Sequence, residues 1–141
     1  GKGACATCHF PPTLAGLVPP NFKDSESEVL GVLIAPDSLQ LDIDKGRIAN
    51  GIHTEEVWMF DNAFKTTTVR NIENTAPYFH NGAYETLEQV VDFYNKGGGA
   101  GHGIAVDNQT LSDAPLNLNE NEKLQLIAFL KALTDNSFTE N

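Results

Sequence analysis

Basic residues are scarce: nine Lys and Arg stand against nineteen Asp and Glu, for a formal net charge of −10. Nucleic-acid binding runs on Lys and Arg neutralising phosphates, so that partner class is excluded and a basic macromolecular partner or a solvated surface is favoured. No apolar run approaches the roughly 18 to 20 residues that cross a bilayer, so membrane insertion is excluded, and no basic segment followed by an apolar one marks a signal peptide. Only two cysteines are present, Cys5 and Cys8. They are not needed as staples, because 141 residues of which 40% are hydrophobic supply one core, while the length excludes two domains with separate full-sized cores. The first residue is Gly and not Met, and the chain reads as processed or as a piece of a longer protein. No internal repeat is visible.

Prolines crowd the first quarter, at 11, 12, 19, 20 and 36, which predicts wrapped loop with at most a short apolar run VLGVLIAP. Residues 39–52 alternate weakly around Lys45-Gly46 and predict a short hairpin or irregular loop. HTEEVWMF holds a turn or two of helix, and FKTTTVRNIENTAPYFHNG reads as extended chain and turns. Two helices are better marked. Thr86 with Gln89 three residues on makes a capping box, Leu87, Val90, Val91 and Tyr94 share one face, and Gly97 stops the helix after Lys96. A flexible glycine and polar stretch leads to Pro115. Asn119 with Glu122 caps the last helix, whose buried face is expected to carry Leu126, Phe129, Leu130 and Leu133, and the tail 135–141 is expected to fray.

Cys5-Ala6-Thr7-Cys8-His9 is the C-x-x-C-H spacing of covalent haem attachment, in which two thiols add to the haem vinyl groups and the adjacent imidazole reaches the iron. A chance pair is the bland alternative. A thioredoxin-type dithiol is the other, and it needs a strand before and a helix after, a context that Phe10-Pro11-Pro12 opposes. For the other face of the iron the residue types leave His53, Met59, His80, Tyr94 and His102 open. Tyr94 faces the core, where a buried phenol needs a polar partner, although a core tyrosine bonded to a carbonyl reads the same way. Met59, beside Val57, Trp58 and Phe60, reads equally well as core filler.

CATCH, FKTTTVRNIENTAPYFHNGAYETLEQVVDFYNKGG and NENEKLQLIAFLKALT together resemble the C-terminal haem domain of the bacterial dihaem cytochrome c peroxidases, most closely the branch containing MauG. The resemblance covers Gly1 to about Thr134 and is most specific from Phe64 to Gly98. It implies an all-α cytochrome c type domain with long irregular loops over 1–134, in the periplasm. It also implies one covalent haem c, and a second haem domain, missing from this chain, where peroxide reacts. Cys5 and Cys8 then attach the haem, His9 is the proximal ligand, and Tyr94 is the distal ligand where ordinary members have methionine, with Met59 ranked second. Arg70 matches the arginine near the haem propionates. Thr75 and Pro77 match the backbone oxygens of a bridging calcium, a hard cation suited to such ligands. His80 matches the histidine of the PYxHDG segment and takes a structural or supporting role. Asn81 replaces the usual aspartate, and Thr67 stands where proline is usual. The implied function is electron transfer within a MauG-like peroxidase or oxidase that uses hydrogen peroxide and a basic cytochrome or protein donor, the domain alone being non-catalytic. A stand-alone c-type electron carrier is the competing reading.

Overall fold

A computed structural model describes residues 1–17, 27–51, 55 and 57–135 of the chain. The expected frayed tail falls almost wholly outside them, as do His53 and most of the 52–56 stretch. Three α-helices are present among the described residues, α1 (Leu87–Lys96), α2 (Gly98–Gly101) and α3 (Glu120–Ala132), together with two strands, β1 (Ser27–Val29) and β2 (Ala63–Lys65). The strands pair antiparallel with Glu28 opposite Phe64 and Val29 opposite Ala63.

The all-α expectation is therefore wrong. Among the described residues no α-helix precedes residue 87, because prolines and positive-φ turns at Gly31, Gly46 and Gly82 repeatedly remove the consecutive hydrogen bonds that a helix needs. That part of the chain instead forms 3-10 turns at Cys5–Thr7, Arg47–Asn50, Val57–Phe60 and Ile72–Asn74, and the β1–β2 pair. In the 39–52 stretch isolated bridges join Leu41 to Leu33 and Gly46 to Ala63, and a 3-10 turn follows, so the irregular alternative holds.

Helices α1 and α3 form where their caps predict. Thr86 Oγ1 accepts from the Gln89 N–H at 3.2 Å and Gln89 Oε1 accepts from the Thr86 N–H at 3.1 Å. Asn119 and Glu122 make the same reciprocal pair, both bonds 2.9 Å. Each box satisfies two donors that a helix start leaves orphaned. The face expected of α3 is rotated: Ile127 is the buried residue, Leu126 and Leu130 flank it, and Phe129 is 55% exposed. The glycine stretch after α1 is packed, not flexible. Gly97 takes φ 98° as the C-cap of α1, and a Cβ on Gly99 would collide with the Gly31 backbone. That close approach lets the Gly99 N–H donate to the Leu30 carbonyl at 2.9 Å, docking the end of α1 beside β1.

The core joins Val32, Leu33, Tyr78, Tyr84, Leu87, Val90, Val91, Phe93 and Ile127. Tyr84 is 1% exposed, packs edge-on against Phe79 and Phe93, and its buried hydroxyl has no hydrogen-bond partner among the described residues. A desolvated, unpaired hydroxyl is a cost that Phe avoids. Tyr84→Phe is expected to stabilise the protein by about 1 kcal/mol in urea unfolding at pH 7. Burial, helped by Asp37, pushes the Tyr84 phenol up to about 12. The neutral form is thus favoured in the folded state, its contribution is complete below the unfolded value near 10, and it is lost as pH rises toward 12. The advantage of Tyr84→Phe should widen over that window.

Candidate functional site

The Cys5–His9 segment is a tight turn: the Thr7 N–H donates to Ala4 O and the His9 N–H to Cys5 O, both at 2.9 Å. His9 Nδ1 lies 3.2 Å from the Leu14 carbonyl, the geometry of a ring N–H donating to a backbone oxygen, which leaves Nε2 as the free lone pair. The same carbonyl accepts from the Val69 N–H at 3.1 Å. Thr68 Oγ1 donates to Thr13 O at 2.6 Å, the Gly16 N–H to Thr66 O at 3.1 Å, and an Arg70 guanidinium N–H to Pro12 O at 2.6 Å. The threonine-rich segment 66–70 thus straps the loop that orients His9. Thr67, the departure from proline, is exposed.

Both cysteines are unpaired thiols, Cys5 exposed and Cys8 half-buried. Desolvation of each sulfur pushes its thiol up, and Glu28 adds to this at Cys8. A thioredoxin-type dithiol requires the opposite shift, with a helix N-terminus behind it. Here a 3-10 turn of three residues, Cys5–Thr7, takes that place.

Tyr94 lies on α1, half-buried, with its ring 5.7 Å from Phe93 and 6.1 Å from Phe79. Its phenol is pushed far above the ordinary tyrosine value, by desolvation first and then by Cys5, Cys8 and Glu28. Those neighbours put the hydroxyl within electrostatic reach of both thiols. The polar partner expected for a buried phenol is not found: the hydroxyl makes no hydrogen bond among the described residues. The sequence-distant Cys5–His9 turn and Tyr94 are therefore brought together.

The other candidates are engaged elsewhere. His80 stacks on Phe64 at 3.5 Å and places Nε2 3.7 Å from Asp42 Oδ1; desolvation lowers its pKa against the pull of Asp42 and Asp44. His102 Nδ1 is 2.8 Å from Gly98 O and its ring stacks on Phe93. Met59 is 46% exposed on the Val57–Phe60 turn, and no hydrogen bond among the described residues joins it to the Cys5–His9 turn. Arg70 is exposed and bonded to Pro12. Thr75 and Pro77 are exposed in the turn after Ile72–Asn74, with Thr75 Oγ1 donating to Ile72 O at 3.0 Å.

Asn81, where aspartate is usual, donates from Nδ2 to Leu33 O at 3.0 Å and to Asp42 Oδ2 at 2.9 Å, while its Oδ1 accepts from the Ala83 N–H. Asp42, whose pKa is lowered by the Asp44 N–H first and Asn81 second, demands a donor at that position. Asn81→Asp removes both donations and sets a second carboxyl against the first. The expected loss is about 2 kcal/mol in chemical unfolding, partly recovered at acid pH where the pair shares a proton.

The donor set fits a c-type haem. Two neutral thiols lie beside a fixed imidazole with a free nitrogen, and within their electrostatic reach is the Tyr94 phenol, which desolvation keeps protonated and a nearby cation would help to ionise. Comparison with known proteins agrees at the level of family, although no family model matches. The chain is 34% identical to the cytochrome-c peroxidase IdrP2 of Denitromonas iodatirespirans, over 95% of this chain and 37% of that protein. It is 29% identical to the methylamine utilization protein MauG of Methylorubrum extorquens, over 94% of this chain and 31% of that one. A solved MauG-like protein associated with microbial copper homeostasis superposes with a TM-score of 0.64 at 25% identity, covering 96% of this chain and 41% of that one. The chain thus spans less than half the length of these relatives, and over nearly all of its own length it belongs to the family of cytochrome-c peroxidases and MauG.

Proposed function

We propose that residues 1–134 form a haem c electron-transfer domain of a longer, MauG-like dihaem peroxidase or oxidase. The observation that supports this reading is the Cys5–His9 turn itself, which places two free thiols beside an imidazole held through Nδ1 by the Leu14 carbonyl, with Nε2 left over. Cys5 and Cys8 would hold the haem edge through thioethers, His9 would ligate through Nε2, and Tyr94 would face it from α1. Bound there, haem supplies a one-electron ferric/ferrous couple. The protein's part is to keep the imidazole oriented through Leu14, to hold the phenol in a desolvated setting, and to exclude water with Phe79 and Phe93 on the Tyr94 side. An anionic oxygen ligand favours the ferric state, so a low potential follows. Arg70 would serve the propionate edge, and Thr75 and Pro77 would offer backbone oxygens to a calcium ion.

With ligands from both sides, the chain would leave no open position for peroxide. Reaction with hydrogen peroxide would belong to a second haem domain, with a basic cytochrome or protein donor steered by the acidic surface in the periplasm. No helix among the described residues is long and apolar enough to cross a membrane. The same closed coordination also supports a c-type carrier that never meets peroxide. Steady-state turnover with peroxide and a reduced donor separates the two. Slow turnover by this chain alone that rises when the rest of the polypeptide is present is expected, rapid turnover alone contradicts the assignment, and no rise leaves the carrier.

A further inference from the structure

The Val57–Phe60 turn, which the haem site does not use, carries the one tryptophan of the chain. Trp58 is 59% exposed, Met59 46%, and Ile43, on a neighbouring loop, 91%. Lys45 joins the two segments: its Nζ lies 3.1 Å from Asp61 Oδ2, and its carbonyl accepts from the Asn62 N–H at 3.1 Å. Ile43 stands two residues before Lys45 and Trp58 three before Asp61, so three large exposed apolar side chains flank one ion pair. Singly exposed apolar residues are ordinary, whereas a group of them marks a surface that another molecule covers.

Trp58 stands on a fixed backbone. Asn108 Nδ2 donates to Trp58 O at 3.1 Å and to Asp61 O at 2.8 Å, and the Arg47 guanidinium lies 5.8 Å from the centre of the Phe60 ring. An aromatic held this way loses little freedom on binding, and Trp and Met are enriched at the centres of protein interfaces. The charge around it is of one sign. Asp44 beside Ile43, Glu55 before the turn and Asp107 beside Asn108 are all exposed. From residue 28 to residue 64 the basic residues are Lys45 and Arg47 alone, the first paired with Asp61 and the second bonded to Ser27 Oγ at 2.9 Å.

Resting on the electron-transfer reading above, we propose that Ile43, Trp58 and Met59 are the docking surface for the basic protein donor, with Trp58 as its anchor. Asp44, Glu55 and Asp107 would meet Lys and Arg side chains of the partner at the rim, where charge speeds encounter and sets orientation while the apolar centre supplies affinity. Strand β2 leads directly from this turn into the 66–70 strap on the His9 loop, so the docking surface and the haem site share one short stretch of chain.

The test is calorimetric binding of a basic mitochondrial cytochrome c, used as the probe, to the haem-loaded protein at low and high salt. Wild type should bind at low salt, weaken as salt rises, and fail to bind the same cytochrome after its lysines are succinylated. Trp58→Ala should raise Kd about tenfold. Ile43→Ser should raise it in the same direction, and Leu124→Ser, on the exposed side of α3, should leave it unchanged. Absence of binding by wild type, wild-type affinity in both Trp58→Ala and Ile43→Ser, or an equal loss in Leu124→Ser overturns the proposal. Binding that disappears when the rest of the polypeptide is present gives the surface to the other domain, and self-association abolished by Trp58→Ala gives it to a second copy; either result overturns it. Stopped-flow oxidation of the ferrous probe separates the failures. Trp58-dependent binding without electron transfer removes the electron-transfer reading and leaves the surface, whereas electron transfer with binding indifferent to Trp58 removes the surface alone.

Discussion

Tyr94→Phe is expected to convert the ferric protein from six-coordinate low-spin to a form with one protein ligand fewer, and to raise its midpoint potential. The substitution keeps the ring, so the contacts with Phe93 and Phe79 survive and loss of fold does not confound the reading. What it removes is an oxygen that makes no hydrogen bond among the described residues and that desolvation and two thiols hold protonated without a cation. Losing an anionic ligand weakens the ferric state, and axial ligands command a range of ~0.8 V, so a rise on the order of 100 mV is the expected size. Met59→Leu should change neither quantity. Optical and electron-paramagnetic spectra with a potentiometric titration check both variants, and a Tyr94→Phe protein indistinguishable from wild type would remove tyrosine from the iron.

The second large effect belongs to the thiols. In protein matured where haem is attached, wild type should retain haem through denaturation and organic extraction, and the double variant Cys5→Ser, Cys8→Ser should retain none. Each single variant keeps one thioether and should retain less than wild type. Intact-mass measurement under denaturing conditions reads all four proteins. The fold should outlast the loss of the thiols, since neither cysteine belongs to the hydrophobic core. Haem recovered covalently from the double variant would contradict the attachment. A disulfide formed readily between the two cysteines would favour the dithiol alternative, which their raised pKa values oppose.

What was legible in the sequence was local. The Cys5–His9 spacing and the two capping boxes need only residues within five positions of one another, and α1 and α3 begin where Thr86 and Asn119 place them. The pairing of β1 with β2 depends on partners 34 to 38 residues apart, and strands of three residues are too short to show alternation. That is why the all-α reading failed. The glycine run looked flexible because its packing partner, the Gly31 backbone, is far away in sequence. Phe129 was assigned to a buried face by periodicity, but the neighbours of α3 select Ile127, two residues earlier. Asn81 was only a departure from a pattern until Asp42 appeared 2.9 Å away. Tyr94 was reachable from its helical face and from the family resemblance, while its closeness to both thiols is a product of the fold alone.

X-ray absorption at the iron edge of the haem-loaded ferric protein tests the central assignment most directly. With iron held between His9 and Tyr94, the shell nearest the iron contains only nitrogen and oxygen, and the Tyr94→Phe protein loses one oxygen scatterer from it. A sulfur scatterer in that shell of the wild-type protein would put Met59 on the iron and contradict the account.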